Sequence, residues 1–487
     1  MAVYREGVTI YLMSMPSEFG RRVARLSTEP AARLDEVNST LLDEPLQEDE
    51  WALYEPEVNW TRGEDAARAM AIRLKQAKGR AFFKFFFSGN IACGKSTEIT
   101  RLLKVLSGLY HGVRIDIRNW VNTSDFEAHE ILLAIVFAMN DAMIEKVEAL
   151  NLQVQPDPEL IRQIENWTKE TEYVDTVKSE HSAEGDWKLL KKLGLQVSAR
   201  SRFSHVFTTE TREKQRRRFS ELMKLTNLFL GECYEILRNT ADEPEWLILI
   251  EELDKSPNMA KLQEVLGNAV LFTDIQGHLI CNIPAAARIA EIGSQLPLPV
   301  QRIYDVPVYN TDHGPNEDGR AAVGKALSRR IRDELFAEGQ AERLIVASGG
   351  NLRTLFRMVD TSAVQSLIRL ERQRSADPEA GPISREGVTH AINGMRAEYR
   401  DRLGTVGLGQ NEPSTQDKLK RLVEIYEQRP GHDIPDPILV QLVAAGAVQI
   451  FNGVVRHAVH PLVVDLLADQ VLIGGGYKVG TVPGGSI

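Results

Sequence analysis

The sequence predicts an α/β fold: a parallel sheet with helices on both faces, then a helical region and a small C-terminal unit. Three observations carry this. Short apolar runs at 81–87, 111–117, 246–250, 278–283 and 303–308 alternate with helical periodicity, which implies parallel βαβ units. The first run, Ala81 to Phe87, is apolar without alternation, as a strand buried on both faces requires. The C-terminal region reads helix, helix, hairpin.

Taken in order, 1–60 reads as an N-terminal extension with little periodicity and an acidic stretch from Asp43 to Glu50. Ala66, Met70, Ile72, Leu74 and Ala77 share a helix face over 62–78, stopped by Gly79. A core then spans 61–312, interrupted by a helical insertion at about 125–240. There 126–149 has a wide apolar face, and 210–238 repeats apolar residues every three or four positions. Residues 313–402 read as a helical lid and 403–414 as a Gly-rich linker. In the unit at 415–470, Asp417–Gln428 and Asp436–Ala445 read as helices. The runs Val448–Phe451 and Val454–Ala458 flank Asn452-Gly453, a strong hairpin signal. That is the outline of a winged helix. The tail, 471–487, is rich in glycine and expected to be flexible.

Between the first strand and the next helix lies Gly89-Asn90-Ile91-Ala92-Cys93-Gly94-Lys95-Ser96-Thr97, which fits G-x-x-x-x-G-K-[ST]. Its glycines let successive N–H groups converge on phosphate oxygens, and the helix adds its positive end. Lys95 is expected to reach the β- and γ-phosphates and Ser96 to ligate Mg²⁺. Cys93 reads as a small space-filling residue, or as a thiol whose modification blocks the loop.

The strand Trp246–Ile250 delivers two carboxylates at its C-terminal end, where ligands bind in a parallel sheet. Glu251 is assigned to the metal shell, and Glu252 orients and deprotonates the attacking water. Asn282, near the end of the 278–283 strand, is placed to hold that water or the γ-phosphate. Ser348-Gly-Gly-Asn-Leu-Arg353 breaks one helix and starts another, putting Arg353 in a first turn that can report γ-phosphate loss. No Asn-Lys-x-Asp guanine-reading motif occurs, so ATP is preferred over GTP.

These motifs together resemble the AAA+ ATPases and their STAND branch, and more narrowly the bacterial ATPases of mobile elements and antiviral defence. The resemblance covers about 62–470. It implies a P-loop NTPase αβα core with strand order 5-1-4-3-2, and ATP and Mg²⁺ as cofactors. Asn282 becomes the sensor-1 residue and Arg353 the sensor-2 residue. A homo-oligomer and a separate effector protein are implied too, with Arg329, Arg330 or Arg288 nominated as an arginine finger. One departure is Glu251, where the family usually has Asp.

Composition bounds the alternatives. With 43% hydrophobic and 26% charged residues among 487, the chain is neither disordered nor collagen-like. No run reaches the roughly 18 apolar residues of a membrane helix, and the N-terminus lacks a secretory pattern. Three cysteines without a CxxC fit a reducing cytoplasm. The net charge of −10 hides a polarity: 187–218 carries ten Lys/Arg against two Glu, leaving −18 on the rest. The first functional reading is therefore an ATP-driven switch acting on a partner protein. The alternative is a DNA-handling ATPase, like replication initiators or transposition regulators, binding nucleic acid through 187–218. It is the less favoured because Asp436–Ala445 has no Lys or Arg and the hairpin offers only Arg456 and His457. The basic segment has its own alternative, a solvated face paired with the acidic stretch 157–186.

Overall fold

The computed structural model describes residues 26–41, 44–150, 152, 154, 156–171, 209–240, 244–256, 258–290, 295–310, 313–405, 413–453 and 457–473. Expectations for Lys188, Lys191, Lys192, Arg200 and Arg202, for most of the Gly-rich linker and for the tail beyond Ile473 lie outside them.

Five strands form one sheet: β1 (Lys84–Gly89), β2 (Tyr110–Asp116), β3 (Glu245–Glu251), β4 (His278–Pro284) and β5 (Val300–Arg302). Their order is β2-β3-β4-β1-β5, which is the expected 5-1-4-3-2 read from the other edge. Every neighbouring pair is parallel, and β1 lies between β4 and β5. This is the P-loop NTPase arrangement of an α/β sheet.

The aromatic run explains itself at β1. Phe85 and Phe87 pack with α1 (Ala66–Ala77) and α2 (Lys95–Val105) on one face. Phe86 points the other way, into a core with α3 (Ala128–Ala149) and α4 (Phe219–Arg238). All three rings are at most 1% exposed, so neither face tolerates a polar residue. The segment expected as an insertion thus supplies, in α3 and α4, the helical layer over the second face of the sheet.

One strand is shorter than its sequence suggests. The expected run Ile303–Val308 is not sheet; β5 ends at Arg302 after three ladder partners on β1. Asp305 and Pro307 interrupt the apolar alternation. Asp305 leaves the sheet to bond with the C-terminal unit instead.

The region expected as a lid contains α5 (Glu317–Ser328), α6 (Gln340–Ala347), α7 (Leu352–Arg372) and α8 (Arg385–Thr405). Beyond it lie α9 (Thr415–Tyr426), α10 (Pro437–Ala444), the antiparallel hairpin β6 (Val448–Ile450) and β7 (His457–Val459), and α11 (Pro461–Asp469). The helix–helix–hairpin order is as expected, and α11 extends it. Lid, C-terminal unit and part of the N-terminal extension share one apolar core.

Candidate nucleotide-binding site

The central strand β1 ends at Gly89, where the chain turns sharply. A Cβ there would sit 2.4 Å from Ile303 Cγ2 and 2.6 Å from Cys93 Sγ, so only glycine fits. Ala92 (φ 63°) and Gly94 (φ 96°) take left-handed backbone that curls the loop before α2 begins at Lys95. The eleven-residue α2 then points its N-terminus at the hollow.

Lys95 is 5% exposed. Its Nζ donates to Gly89 O (3.0 Å) and Asn90 O (2.9 Å) and pairs with Asp254 Oδ2 at 2.8 Å. Burial alone would lower the Lys95 pKa; the Asp254 carboxylate overrides that and leaves it raised. Burial would likewise raise Asp254, and Lys95 holds it below the usual carboxylate range. Ser96 and Thr97 line the same cavity of about 130 Å³, as do Ile91, Ala92, Cys93 and Gly94. Burial pushes the Cys93 thiol up, which favours its space-filling reading over a reactive thiol.

The two carboxylates after β3 separate. Glu252 lines the cavity with left-handed backbone (φ 71°), held by Lys255 Nζ at 2.5 Å and Arg118 Nη1 at 3.3 Å. A non-glycine residue in that region stores strain, a feature that clusters at functional sites. Glu251 departs from expectation. Both its oxygens are taken by Arg114 of β2, Nε at 2.5 Å and Nη2 at 2.9 Å. It does not line the cavity, whereas Asp254 does. The physical reason is the register: Asp116 faces Glu251 across the ladder, so Arg114 lies one diagonal step away on the same face.

Asn282 pairs in register with Phe87 beside the phosphate loop. It is 2% exposed, and its Oδ1 has no partner among the described residues. A buried amide oxygen without a donor suits a site that receives one from a ligand or water. Arg353 lines the cavity from the first turn of α7.

The arginine-finger nominations fare differently. Arg330 is 5% exposed, lies over the Phe356 ring (4.5 Å) and donates to Leu53 O and Ala326 O, all around its own cavity. So buried, it has no reach to a second subunit. Arg329 is bonded to Glu55 Oε2 at 2.8 Å and to Ala52 O. Arg288 is half-buried on the short helix after β4.

Sequence reasoning missed one wall. Leu26, Leu46, Leu53, Tyr54 and Val58 of the extension, and Arg62 just beyond it, line the cavity together with Phe356. Tyr54 Oη and Asn59 Nδ2 both donate to Glu98 Oε1 on α2, at 2.8 and 2.9 Å, fastening the extension to the loop helix. This segment is built of turns and short helices, so it carries no period; its signal was the apolar–aromatic group Trp51 to Tyr54 inside an acidic stretch.

In the described part of the basic segment four arginines pair with acids, while Arg216 and Arg217 stay 57% and 75% exposed. Arg212 pairs with Asp125 (2.7 Å), Arg216 with both oxygens of Glu127 (2.8 and 2.9 Å), Arg217 with Glu213 and Arg218 with Glu221. The partners of Arg212 and Arg216 lie before α3, outside the acidic stretch 157–186. Among the described residues no helix is long and apolar enough to cross a membrane.

No protein-family model and no curated protein matches the chain. Solved structures do. The Orc1 protein of Aeropyrum pernix in complex with DNA matches at 12% identity and TM-score 0.36, over 87% of this chain and 97% of that one. A Walker-type ATPase of Pyrococcus abyssi matches at 12% and 0.35, over 83% and 95%. Drosophila ORC bound to DNA matches at 9% and 0.32, over 83% and 80%. At such identities the likeness concerns the path of the chain alone.

Proposed function

We propose that the chain is a Mg²⁺-dependent ATPase of the AAA+/STAND type, in which nucleotide at the phosphate loop controls how the lid and C-terminal unit dock, and through them a partner protein. The observation that carries this reading is that the phosphate loop is bonded from behind by both units. Asn90 Nδ2 donates to Asp305 Oδ2 (2.5 Å), and the same oxygen accepts from Ile450 N in β6 (2.8 Å). Asn351, the N-cap of α7, donates from Nδ2 to Ile91 O at 3.1 Å. A loop that moves when phosphate arrives therefore pulls on both units.

In this reading the N–H groups of the loop and of the first turn of α2 hold the phosphates, and Lys95 leaves Asp254 to neutralise them. Ser96 with Asp254 and Glu252 fits Mg²⁺, which is held by one or two carboxylates and phosphate oxygens. The ion, when bound, neutralises charge on the transferred phosphoryl group. Glu252 takes the proton of the attacking water, Asn282 orients that water, and Arg353 ties the lid to the γ-phosphate. A homo-oligomer, an arginine finger from a second copy and a role in antiviral defence rest on the family resemblance alone.

The DNA-handling reading stands beside this one, since two of the matching structures are of proteins bound to DNA. Against it, four arginines of the candidate segment are already paired with acids. The deciding experiment measures ATP binding and turnover for the wild type, Lys95→Ala and Glu252→Gln, with and without duplex DNA. Lys95→Ala is expected to lose binding, and Glu252→Gln to bind without turnover. Equal turnover in wild type and Glu252→Gln sinks the base assignment. Salt-dependent DNA binding that stimulates turnover moves the assignment to the second reading.

A further inference from the structure

Arg62 is a buried cation with no ion-pair partner among the described residues. It is 5% exposed and follows the short helix Glu57–Thr61. Among the described residues it makes one hydrogen bond, from Nη1 to Asn59 Oδ1 at 3.1 Å. Its Nε is buried with no partner, and among the described residues no carboxylate is within ion-pair distance. A guanidinium withdrawn from water on these terms is costly unless a counter-ion joins it.

Its position says which anion. Arg62 lines the nucleotide cavity, and both Nη atoms lie 3.9 Å from where a Cβ on Gly94 would stand, directly against the phosphate loop. Burial raises the pKa of Cys93 within that loop and of Asp305 behind it, and the Arg62 charge works against that rise in both.

The side chain is also aimed. Asn59 gives Nδ2 to Glu98 Oε1 and to Tyr54 Oη (2.9 and 2.6 Å), which turns its Oδ1 toward Arg62. Glu98 sits on α2, so the loop helix itself orients the arginine through Asn59. Next to it, Gly63 (φ 77°) takes a contact from the hairpin tip, Asn452 Nδ2 to Gly63 O at 3.4 Å. A Cβ on Gly63 would lie 2.7 Å from that Nδ2.

We infer that Arg62 is a phosphate ligand: a guanidinium delivered in cis by the N-terminal segment that donates to a phosphoryl oxygen of the bound nucleotide. The planar fork suits such an oxygen, and the cavity supplies the desolvation that makes the contact strong. Phosphate affinity then depends on this segment being docked on Glu98. The inference rests on the nucleotide reading above, and its test separates the two.

Calorimetry on the full chain with ATP, ADP and adenosine compares wild type, Arg62→Met, Arg62→Lys and Lys95→Ala. Arg62→Met keeps the stem and removes the charge. It is expected to weaken ATP and ADP by about 10- to 100-fold, the worth of a charge-assisted hydrogen bond, and to leave adenosine unchanged. Arg62→Lys is expected to fall between. The free Arg62→Met protein is expected to melt no lower than wild type, because an unpaired buried charge has gone. ATP affinity unchanged in Arg62→Met while Lys95→Ala loses it overturns the assignment of Arg62 alone. Equal weakening of adenosine and ATP also overturns it, by revealing a packing role. A wild type that binds none of the three removes the nucleotide reading itself.

Discussion

Replacing Asp305 by alanine tests whether the phosphate loop and the C-terminal hairpin are one mechanical unit. Its Oδ2 accepts from Asn90 Nδ2 on the loop and from Ile450 N in β6, and its own N–H donates to Ile450 O at 3.0 Å. Both side-chain bonds vanish in Asp305→Ala, leaving the Ile450 N–H buried without an acceptor. That omission costs about 1–3 kcal/mol, and the lost Asn90 bond about 1 kcal/mol more. Asp305 is 6% exposed and burial raises its pKa, so removing the carboxylate returns part of this. The net expectation is about 2 kcal/mol of hairpin docking, or roughly a 30-fold loss of protection. Native-state hydrogen exchange reads it at the Val448 and Ile450 amides, with and without ATP. Asp305→Asn keeps an acceptor and is expected to exchange near the wild-type rate. ATP is expected to change hairpin exchange in the wild type and not in Asp305→Ala. Identical hairpin exchange in all three proteins, whatever their global stability, would refute the coupling.

Two further outcomes follow from buried charges elsewhere. Arg114→Ala strands Glu251, whose side chain is 7% exposed; since the arginine itself is 40% exposed, the expected cost is reduced to about 2 kcal/mol. Urea unfolding checks it, and adding Glu251→Gln to that variant is expected to recover most of the loss; no recovery means the pair is not the cause. His460 is fully buried, stacked on Tyr399 at 4.5 Å, with Nε2 3.1 Å from Ser348 O and Nδ1 accepting from Leu462 N. Burial pushes its pKa down to about 3, so it is neutral when folded and takes a proton near 6.5 when unfolded. Its contribution is complete above pH 6.5 and is lost as pH falls toward 3, by about 1.4 kcal/mol per unit. In His460→Phe the acid slope of the unfolding free energy is expected to be shallower by one proton, and a pH-independent difference from wild type contradicts this.

What was legible in the sequence follows the range of the interactions that decide it. The parallel pairing of the strands could be read because both faces of the sheet are covered, which leaves unbroken apolar runs such as Phe85–Phe87, whereas their order came only from the family resemblance. The phosphate loop could be read because its chemistry is local, from Gly89 to Ser96. Glu251 could not. Its partner Arg114 lies 137 positions earlier, and only the β2–β3 register brings the two together. The pairing of the basic segment was illegible for the same reason: Asp125 and Glu127, which pair with Arg212 and Arg216, stand over eighty positions away. β5 is shorter than its apolar run suggests because Asp305 and Pro307 break that run, and nothing local says that Asp305 serves the hairpin.

The extension is the most instructive omission, because it lacks periodicity for a reason that bears on function. A segment made of turns and short helices contributes few backbone bonds of its own, so its position depends on side-chain anchors. Those anchors converge on the loop helix: Tyr54 and Asn59 on Glu98, and Asp65 on both guanidinium nitrogens of Arg101 at 2.6 and 2.7 Å. Burial and two acids hold Tyr54 protonated, its pKa pushed far above the usual tyrosine range. The wall of the cavity is therefore fastened to the same helix whose N-terminus faces the cavity. Whatever shifts α2 shifts Arg62 with it, while the hairpin holds the neighbouring Gly63 from the other side. Lid, hairpin and extension thus each reach the loop region through individual polar bonds as well as shared apolar packing: Asn351 to Ile91, Ile450 to Asp305, and Tyr54 and Asn59 to Glu98. Contacts of that size are weak enough for a bound phosphate chain to rearrange.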